Sequence, residues 1–297
     1  MDRRNFIKRT SIVGGVAMAS FPHLFNSADS KYKMGYQLYS IRDRMAERPI
    51  DTLKALKAVG YEDFEVYGYD DTKNLIYGFS PSEFKSILDD LGLSVTSGHY
   101  GFSPYLKKSD DAIKGFVDRC IVAAKKMDSK YITWPWLDPD YRNMEDFKLM
   151  AEKLNIIGEQ VTKTGLGFAY HNHGFEFEDY DGDNGYEVII RDTDPELVKL
   201  QMDMYWVMHS SKTTPKELVN RQPGRIVMWH IKDMDTVNRD YTELGNGSIN
   251  YLKVLPDPKQ SGLEYYYLEQ GGNFAVNSMR SAQQSGAYCK NHLRQFL

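Results

Sequence analysis

A regular alternation of strand-like and helix-like segments is the feature that most constrains the fold of this chain. Short apolar or alternating segments predict eight strands, at residues 32–40, 61–67, 93–99, 130–134, 167–173, 198–203, 226–233 and 263–269. Helical spacing follows at residues 49–59, 81–91, 110–127, 143–164, 185–191, from Thr214, at 248–255 and at 275–292. Strands and helices in this order predict parallel strands joined by crossover helices.

Eight such units in about 270 residues predict a single α/β domain, a (β/α)8 TIM barrel over residues 31–297. The alternative is a doubly wound open sheet, which normally places a glycine-rich phosphate turn after its first strand. Here the first strand runs into Gln37-Leu38-Tyr39-Ser40-Ile41-Arg42, without a G-x-G-x-x-G sequence. No Pro/Gly/Ser-rich linker interrupts the region, which favours one domain.

The first 30 residues have the composition of a targeting segment rather than of a barrel element. Arg3-Arg4-Asn5-Phe6-Ile7-Lys8-Arg9 precedes a moderately apolar run, rich in Gly and Ala, over residues 11–21. This pattern predicts a twin-arginine-type signal peptide at residues 1–30 and an exported, periplasmic protein. The apolar run is too short to span a bilayer, so we expect no stable membrane insertion. A basic leader without an export role is the alternative.

The overall composition indicates which classes of molecule this chain is suited to bind. The formal net charge of −4 and the absence of basic runs after the leader argue against nucleic acid as the main partner. The two cysteines, Cys120 and Cys289, have no metal-ligand spacing and allow at most one disulfide. A homo-oligomer is compatible with the sequence, which does not determine the oligomeric state.

Ionisable side chains occur at the carboxyl ends of six predicted strands. They are Glu65, His99, His171, His173, Asp203, His230, Lys232 and Glu269. Taken singly, such a residue is more often a helix cap or a hydrogen-bonded structural histidine. In a barrel, however, all of these strand ends meet at one rim. Carboxylates crowded there repel one another unless a cation is bound, which predicts one divalent metal ion: Mn, Co, Zn or Mg.

Several segments together resemble the sugar phosphate isomerase/epimerase family, which has the xylose isomerase-like TIM-barrel fold. The resemblance rests on residues 35–42, Tyr170-His171-Asn172-His173 with Glu176, Asp203-Met204-Tyr205-Trp206, His230-Ile231-Lys232-Asp233 and Leu268-Glu269. It covers essentially all of residues 31–297. It implies a divalent metal held by a glutamate on strand five, an aspartate on strand six, a histidine on strand seven and a glutamate on strand eight.

Three of these four positions match the family, at Asp203, His230 and Glu269. The strand-five position carries His171 instead of glutamate, and Glu176 follows closely enough to supply the missing carboxylate. The metal ligands implied by the resemblance are therefore His171, Glu176, Asp203, His230 and Glu269.

The resemblance further implies an enzyme, a metal-dependent sugar isomerase or epimerase that acts on a keto-sugar or related carbohydrate through an enediolate. A metal that chelates a carbonyl and its neighbouring hydroxyl acidifies the intervening C–H, and a carboxylate or imidazole moves the proton. The predicted catalytic residues are Glu176, Glu269, His173, Lys232 and His99. The predicted substrate-binding residues are Gln37, Tyr39, Glu65, Trp134 and Trp206.

Other functions fit parts of the same pattern. A keto-glycoside lyase or dehydratase needs the same metal and base, and a non-catalytic sugar-binding barrel is compatible with the departure at His171. A metal-dependent endonuclease acting at abasic sites shares the barrel, but the net charge and the predicted export oppose it. Export also favours neutral sugars, keto-sugars or glycosides as substrates, because phosphorylated sugars are mainly intracellular.

Overall fold

Eight parallel strands close into a barrel, which confirms the predicted (β/α)8 fold. The computed structural model describes residues 30–180 and 182–297. Strands β1 to β8 are Gly35–Gln37, Asp63–Tyr67, Ser94–His99, Tyr131–Trp134, Gly167–His171, Lys199–Asp203, Ile226–Ile231 and Tyr265–Leu268. Each strand pairs with its neighbours in the chain, and β8 pairs with β1. The predicted signal peptide lies, apart from Ser30, outside the described residues, so export stays a prediction.

Helices of the described residues surround this barrel. Helices α1 to α11 are Arg42–Glu47, Pro49–Val59, Pro81–Asp90, Asp110–Lys126, Met144–Thr162, Gly185–Asp192, Met204–Ser210, Pro215–Arg221, Tyr251–Val254, Pro258–Ser261 and Ser278–Tyr288. α3 begins with the predicted cap and proline, because Ser80 and Glu83 form a reciprocal capping box. No described helix has both the length and the apolar character needed to cross a membrane.

Several predicted elements are shorter in the structure, among them the first strand and two of the later helices. β1 covers only Gly35–Gln37, because the chain then enters a 3-10 turn at Leu38–Ile41, where the Gln37 side chain accepts a hydrogen bond from the Tyr39 amide. The helix predicted at 248–255 is reduced to Tyr251–Val254. The last helix starts at Ser278 and continues beyond Tyr288 as a π-turn.

The barrel interior is filled in layers rather than open as a pore. Ala169, Met228 and Tyr267 belong to a small buried cluster inside the barrel. Each lies two residues before an ionisable residue, His171, His230 or Glu269, and therefore faces the same way one layer deeper. The larger hydrophobic core lies between the outer face of the barrel and the helices. These packed layers give the residues at the carboxyl ends of the strands a rigid support.

Candidate active site

Four side chains from four strands meet at the carboxyl end of the barrel. His171 ends β5, Asp203 ends β6, His230 lies within β7, and Glu269 directly follows β8. Each offers one ligand atom, and these atoms all lie within 4.8 Å of one another. The structure thus brings together four of the five predicted metal ligands.

The two carboxylate oxygens of Asp203 have different surroundings. Oδ1 caps helix α7, accepting hydrogen bonds from the amides of Tyr205 at 3.0 Å and Trp206 at 3.3 Å. Oδ2 is buried and has no well-oriented hydrogen-bond donor among the described residues, although Lys232 Nζ lies 2.6 Å away. A buried carboxylate oxygen that accepts no well-oriented hydrogen bond is suited to bind a cation.

Lys232 supplies a fixed positive charge to this cluster. Its Nζ lies 2.6 Å from Asp203 Oδ2 and 2.9 Å from Glu269 Oε2. Burial disfavours the charged ammonium, but these two carboxylates outweigh it and raise the pKa of Lys232. Conversely, Lys232 and His230 overcome the effect of burial and lower the pKa of Glu269. Lys232 is therefore a charged donor rather than a base.

Glu65, on β2, forms the floor beneath the cluster. Its carboxylate lies 2.6 Å from His230 Nε2 and 2.9 Å from His99 Nε2. Although burial acts the other way, these histidines hold the pKa of Glu65 well below its ordinary value. His230 also bonds Glu269 through Nδ1; burial lowers its pKa, but the two carboxylates raise the pKa of His230 to about 9. This carboxylate network stabilises a positive charge at the centre of the barrel.

Gln201, which is absent from the sequence-based predictions, organises the histidines. Its Oε1 lies 2.7 Å from His99 Nε2 and 2.8 Å from His171 Nδ1, and its Nε2 donates to Glu65 Oε1 at 2.6 Å. An amide oxygen only accepts, so the His171 proton is placed on Nδ1. The unprotonated Nε2 then faces Asp203 Oδ2 at 3.7 Å. Gln201 lies two residues before Asp203, so strand alternation was the signal that could have found it.

The residues present fit a divalent metal. Glu65, Asp203 and Glu269 bring three negative charges to the cluster, and Lys232 is the one lysine or arginine that pairs with any of them among the described residues. A doubly charged ion therefore balances the cluster when His230 is neutral. Asp203 Oδ2 lacks a well-oriented hydrogen-bond partner among the described residues, and His171 Nε2 lies 3.7 Å from it. His171, Asp203, His230 and Glu269 would hold the ion, as two imidazole nitrogens and two carboxylate oxygens.

A cavity of about 930 Å³ opens above this cluster. His99, His171, His173, Lys232 and Glu269 contribute to its lining. Aromatic rings also contribute to the lining, among them Tyr39, Tyr67, Trp136, Phe175, Trp206 and Tyr241. A small molecule that enters the cavity therefore meets ionisable groups in its depth and aromatic surfaces around it.

The family model described as Xylose isomerase-like TIM barrel matches residues 53–268. The chain belongs to this family. A solved sugar phosphate isomerase/epimerase from Parabacteroides distasonis is similar over 90% of this chain and 96% of its own, with 25% identity and a TM-score of 0.78. The family membership confirms the resemblance seen in the sequence. No curated protein matches the chain.

Two further solved structures share the fold at lower identity. An IOLI protein with a binding zinc atom is 14% identical, with a TM-score of 0.69, and the match covers 89% of this chain and 99% of that protein. An L-ribulose 3-epimerase is also 14% identical, with a TM-score of 0.68 and coverage of 89% and 95%. At these identities the similarity shows the fold.

Glu176 does not join the metal cluster of this xylose isomerase-like barrel, which corrects its predicted role as a ligand. Its Oε1 accepts a hydrogen bond from Tyr170 Oη at 2.7 Å, and its Oε2 accepts one from the His173 amide at 2.8 Å. Tyr170 alternates with the inward-facing His171 and points away from the barrel interior, so Glu176 is held on the outer side of β5. Burial raises the pKa of Glu176 to about 8. It also lies outside the cavity lining, so it reaches substrate only through His173.

The remaining predicted catalytic residues line the cavity. His99, His173, Lys232 and Glu269 all contribute to it. Burial lowers the pKa of His173, and its Nδ1 is buried without a hydrogen-bond partner among the described residues. His171 and His173 lie side by side, with ring centroids 4.8 Å apart, as their alternation predicted. His173 is thus a neutral imidazole in position to exchange a proton.

The five predicted substrate-binding residues separate into three groups. Tyr39 and Trp206 line the cavity. Gln37 and Glu65 are fully buried beneath it and bond each other at 2.6 Å, so they support the site instead of contacting a ligand. Trp134 is wrongly predicted: it is fully buried outside the cavity, stacks on a core phenylalanine and donates its Nε1–H to a backbone carbonyl. Trp136, two residues later, is the tryptophan that reaches the cavity.

Proposed function

We propose that this chain is a metal-dependent sugar isomerase or epimerase that acts on a keto-sugar or related carbohydrate through an enediolate. The observation that carries the proposal is the convergence of His171, Asp203, His230 and Glu269, with Lys232 beside them, next to a ligand-sized cavity. Of these residues, His171, Lys232 and Glu269 line the cavity. The names of the similar structures, an isomerase/epimerase and an epimerase, support the same class of reaction.

The bound ion would supply Lewis-acid polarisation of a substrate carbonyl and the neighbouring hydroxyl. Lys232 places a permanent positive charge beside Asp203 and Glu269, where it stabilises the oxygen that becomes negative as the C–H bond breaks. The two imidazole ligands, His171 and His230, favour Zn or Co over Mg, since nitrogen ligands suit those metals better.

His173 is the group we assign to proton transfer. It lines the cavity, and its ring has no hydrogen-bond partner among the described residues, whereas Glu269 is occupied by Lys232 and His230. Glu176 fixes the backbone of His173. Isomerisation returns the proton to the neighbouring carbon on the same face, whereas epimerisation requires a donor on the other face.

The test is exchange of the substrate's alpha proton with solvent deuterium, followed by NMR. D-fructose, D-psicose, D-tagatose and D-xylulose are incubated with protein loaded in turn with Zn, Co, Mn or Mg. We expect exchange with at least one sugar, lowered by roughly two orders of magnitude or more in Glu269→Gln and His173→Asn.

Glu264→Gln is the matched control, because Glu264 is an exposed glutamate five residues earlier in the same segment. It should exchange at the wild-type rate. Wild-type exchange in Glu269→Gln, or protein that never retains a stoichiometric metal ion, would contradict the proposal.

A further inference from the structure

The cavity is larger than a single sugar ring requires. Its volume of about 930 Å³ is near the upper end of the range for pockets that bury a drug-sized ligand. A monosaccharide bound beside the metal cluster and His173 would occupy only part of this space. The rest of the cavity would remain unfilled, although it is lined by side chains suited to a second group.

Many of the side chains that line the cavity are aromatic, and we call six of them the aromatic mouth. They are Tyr39, Tyr67, Trp136, Phe175, Trp206 and Tyr241. Tyr39 and Trp136 each remain 43% exposed, which makes them two of the most exposed rings among the described residues. Large aromatic surfaces left open in a concave site are suited to stacking on a sugar or aryl ring.

Trp136 is held in place by three neighbouring side chains. Its ring meets His173 edge to face at a centroid distance of 4.9 Å and Phe175 at 5.5 Å. The Arg142 guanidinium lies 4.4 Å from the Trp136 ring centroid and 3.9 Å from that of Phe175. A ring already fixed in this way loses little conformational entropy when it binds a partner.

The cavity offers little to a phosphate group. Among the described residues that line it, Arg142 and Lys232 carry the permanent positive charges. Lys232 is engaged by Asp203 and Glu269, and Arg142 packs on Trp136 and donates two hydrogen bonds to the carbonyl of residue 137. TIM barrels that bind phosphate typically use the loops after strands seven and eight. Here the residues that these loops bring to the cavity are Lys232, which is already paired with two carboxylates, and Tyr241, Glu269 and Gly271.

We infer that the substrate is an unphosphorylated glycoside whose reacting sugar carries the free carbonyl that enediolate chemistry needs, with that sugar at the metal cluster and the second ring in the aromatic mouth. The assignment of the reacting sugar rests on the proposed function, whereas the second ring is assigned from the cavity volume, the fixed Trp136 and the engaged cations. The second ring is either another sugar or an aromatic aglycone, since both present a face for stacking.

Binding measured by calorimetry on the metal-loaded protein tests this inference. Three series of probes are compared, based on glucose, galactose and xylose. Each series contains the free sugar, its methyl glycoside, its p-nitrophenyl glycoside and the matching disaccharide. Glucose 6-phosphate and galactose 6-phosphate are the phosphorylated probes. In at least one series we expect a two-ring probe to bind roughly tenfold more tightly than the methyl glycoside. The sugar phosphates should bind no more tightly than the free sugars.

Trp136→Ala should remove most of this tenfold difference, measured within the variant as the ratio of its affinities for the two-ring probe and the methyl glycoside. Phe296→Ala is the matched control, because Phe296 is a similarly exposed ring, 47% exposed, that lies outside the cavity. The p-nitrophenyl glycosides and the disaccharides separate an aromatic aglycone from a second sugar.

Three results would overturn the inference: a preference for the sugar phosphates, no two-ring preference in any series, or a preference that survives Trp136→Ala. These results are independent of proton exchange. A protein that binds glycosides but exchanges no proton would contradict the proposed function alone, and an enzyme that exchanges protons without a two-ring preference would contradict this inference alone.

Discussion

At the scale of single residues, the site depends on how each polar atom is divided between the fold and a ligand. Oδ1 of Asp203 caps helix α7, whereas Oδ2 accepts no well-oriented hydrogen bond among the described residues and is suited to bind a cation. His171 directs Nδ1 to Gln201 and leaves Nε2 near Asp203. The bond made by one atom of each side chain thus orients the other atom, as is typical of side chains that ligate metals.

Gln201→Leu tests this orientation. The substitution removes the acceptor shared by His99 and His171 and leaves the shape of the side chain similar. We expect metal affinity to fall by roughly 10- to 100-fold, because His171 loses the contact that selects its tautomer. Competition with a chromogenic chelator measures the affinity, and Gln260→Leu, at an exposed glutamine, is the control. Unchanged affinity in Gln201→Leu would show that His171 is not oriented by Gln201.

At the scale of elements, strand ends and the short turns after them place the chemistry. The 3-10 turn Phe175–Phe177 follows β5 and folds Glu176 back onto the outer side of the strand. Glu176 therefore fixes the His173 amide from behind, whereas the cavity side of the turn presents Phe175. One turn thus separates a supporting carboxyl from a ligand-facing ring.

Glu176→Ala distinguishes a support from a metal ligand. The substitution removes the acceptor of two buried hydrogen bonds, so we expect the free energy of unfolding to fall by about 1–3 kcal/mol. We also expect substrate proton exchange to slow, because the backbone amide of His173 loses its hydrogen bond to Glu176. Metal content, measured by elemental analysis, should stay at the wild-type value. Asp179→Ala, at an exposed carboxylate just after the turn, is the control. Loss of the metal from folded Glu176→Ala would restore Glu176 to the ligand set.

At the scale of the whole molecule, the candidate active site and a buried polar cluster lie at opposite ends of the barrel. The carboxyl end holds the cluster and cavity, while the amino end is closed by a buried polar contact around Asp63. Asp63 accepts hydrogen bonds from Ser94 at 2.7 Å and from Thr96, which also contacts Tyr267 Oη at 2.6 Å. This separation allows stability to be changed at one end without touching the other.

Asp63 should make the stability of the molecule depend on pH. Burial is the main cause that raises its pKa to about 6, although Ser94, Thr96 and the nearby Lys33 act against it. The native state therefore holds a proton that the unfolded chain releases near pH 4, so its contribution to stability is present below about pH 4 and is lost as pH rises to 6.

We expect the unfolding free energy of the wild type, relative to Asp63→Asn, to fall by up to about 3 kcal/mol between pH 4 and pH 7. Urea denaturation of both proteins at each pH measures the difference. Asp51→Asn, at an exposed carboxylate of α2, should show no comparable trend. A pH-independent difference for Asp63→Asn would mean that the native carboxyl titrates as it does in the unfolded chain.

Alternation along the chain was sufficient to predict the barrel and the rim at which ionisable groups gather. The eight strand-helix units appear in local hydrophobic patterns, and local patterns survive folding because each element buries the face that the pattern defines. The same alternation placed His171 beside His173 and could have identified Gln201, which shares a face with Asp203. These features follow from spacing within a single strand.

Which side chains share a partner was decided only by closure of the barrel. Glu176 was predicted as a ligand from its closeness in sequence to His171, but the turn after β5 directs it to the outward-facing Tyr170. Trp134 was predicted at the cavity, although its place in β4 directs it into the outer core. The sequence by itself therefore determined the fold and the kinds of groups at the rim. The tertiary structure decided their pairing, because distances between strands depend on register and turn geometry, which local spacing does not encode.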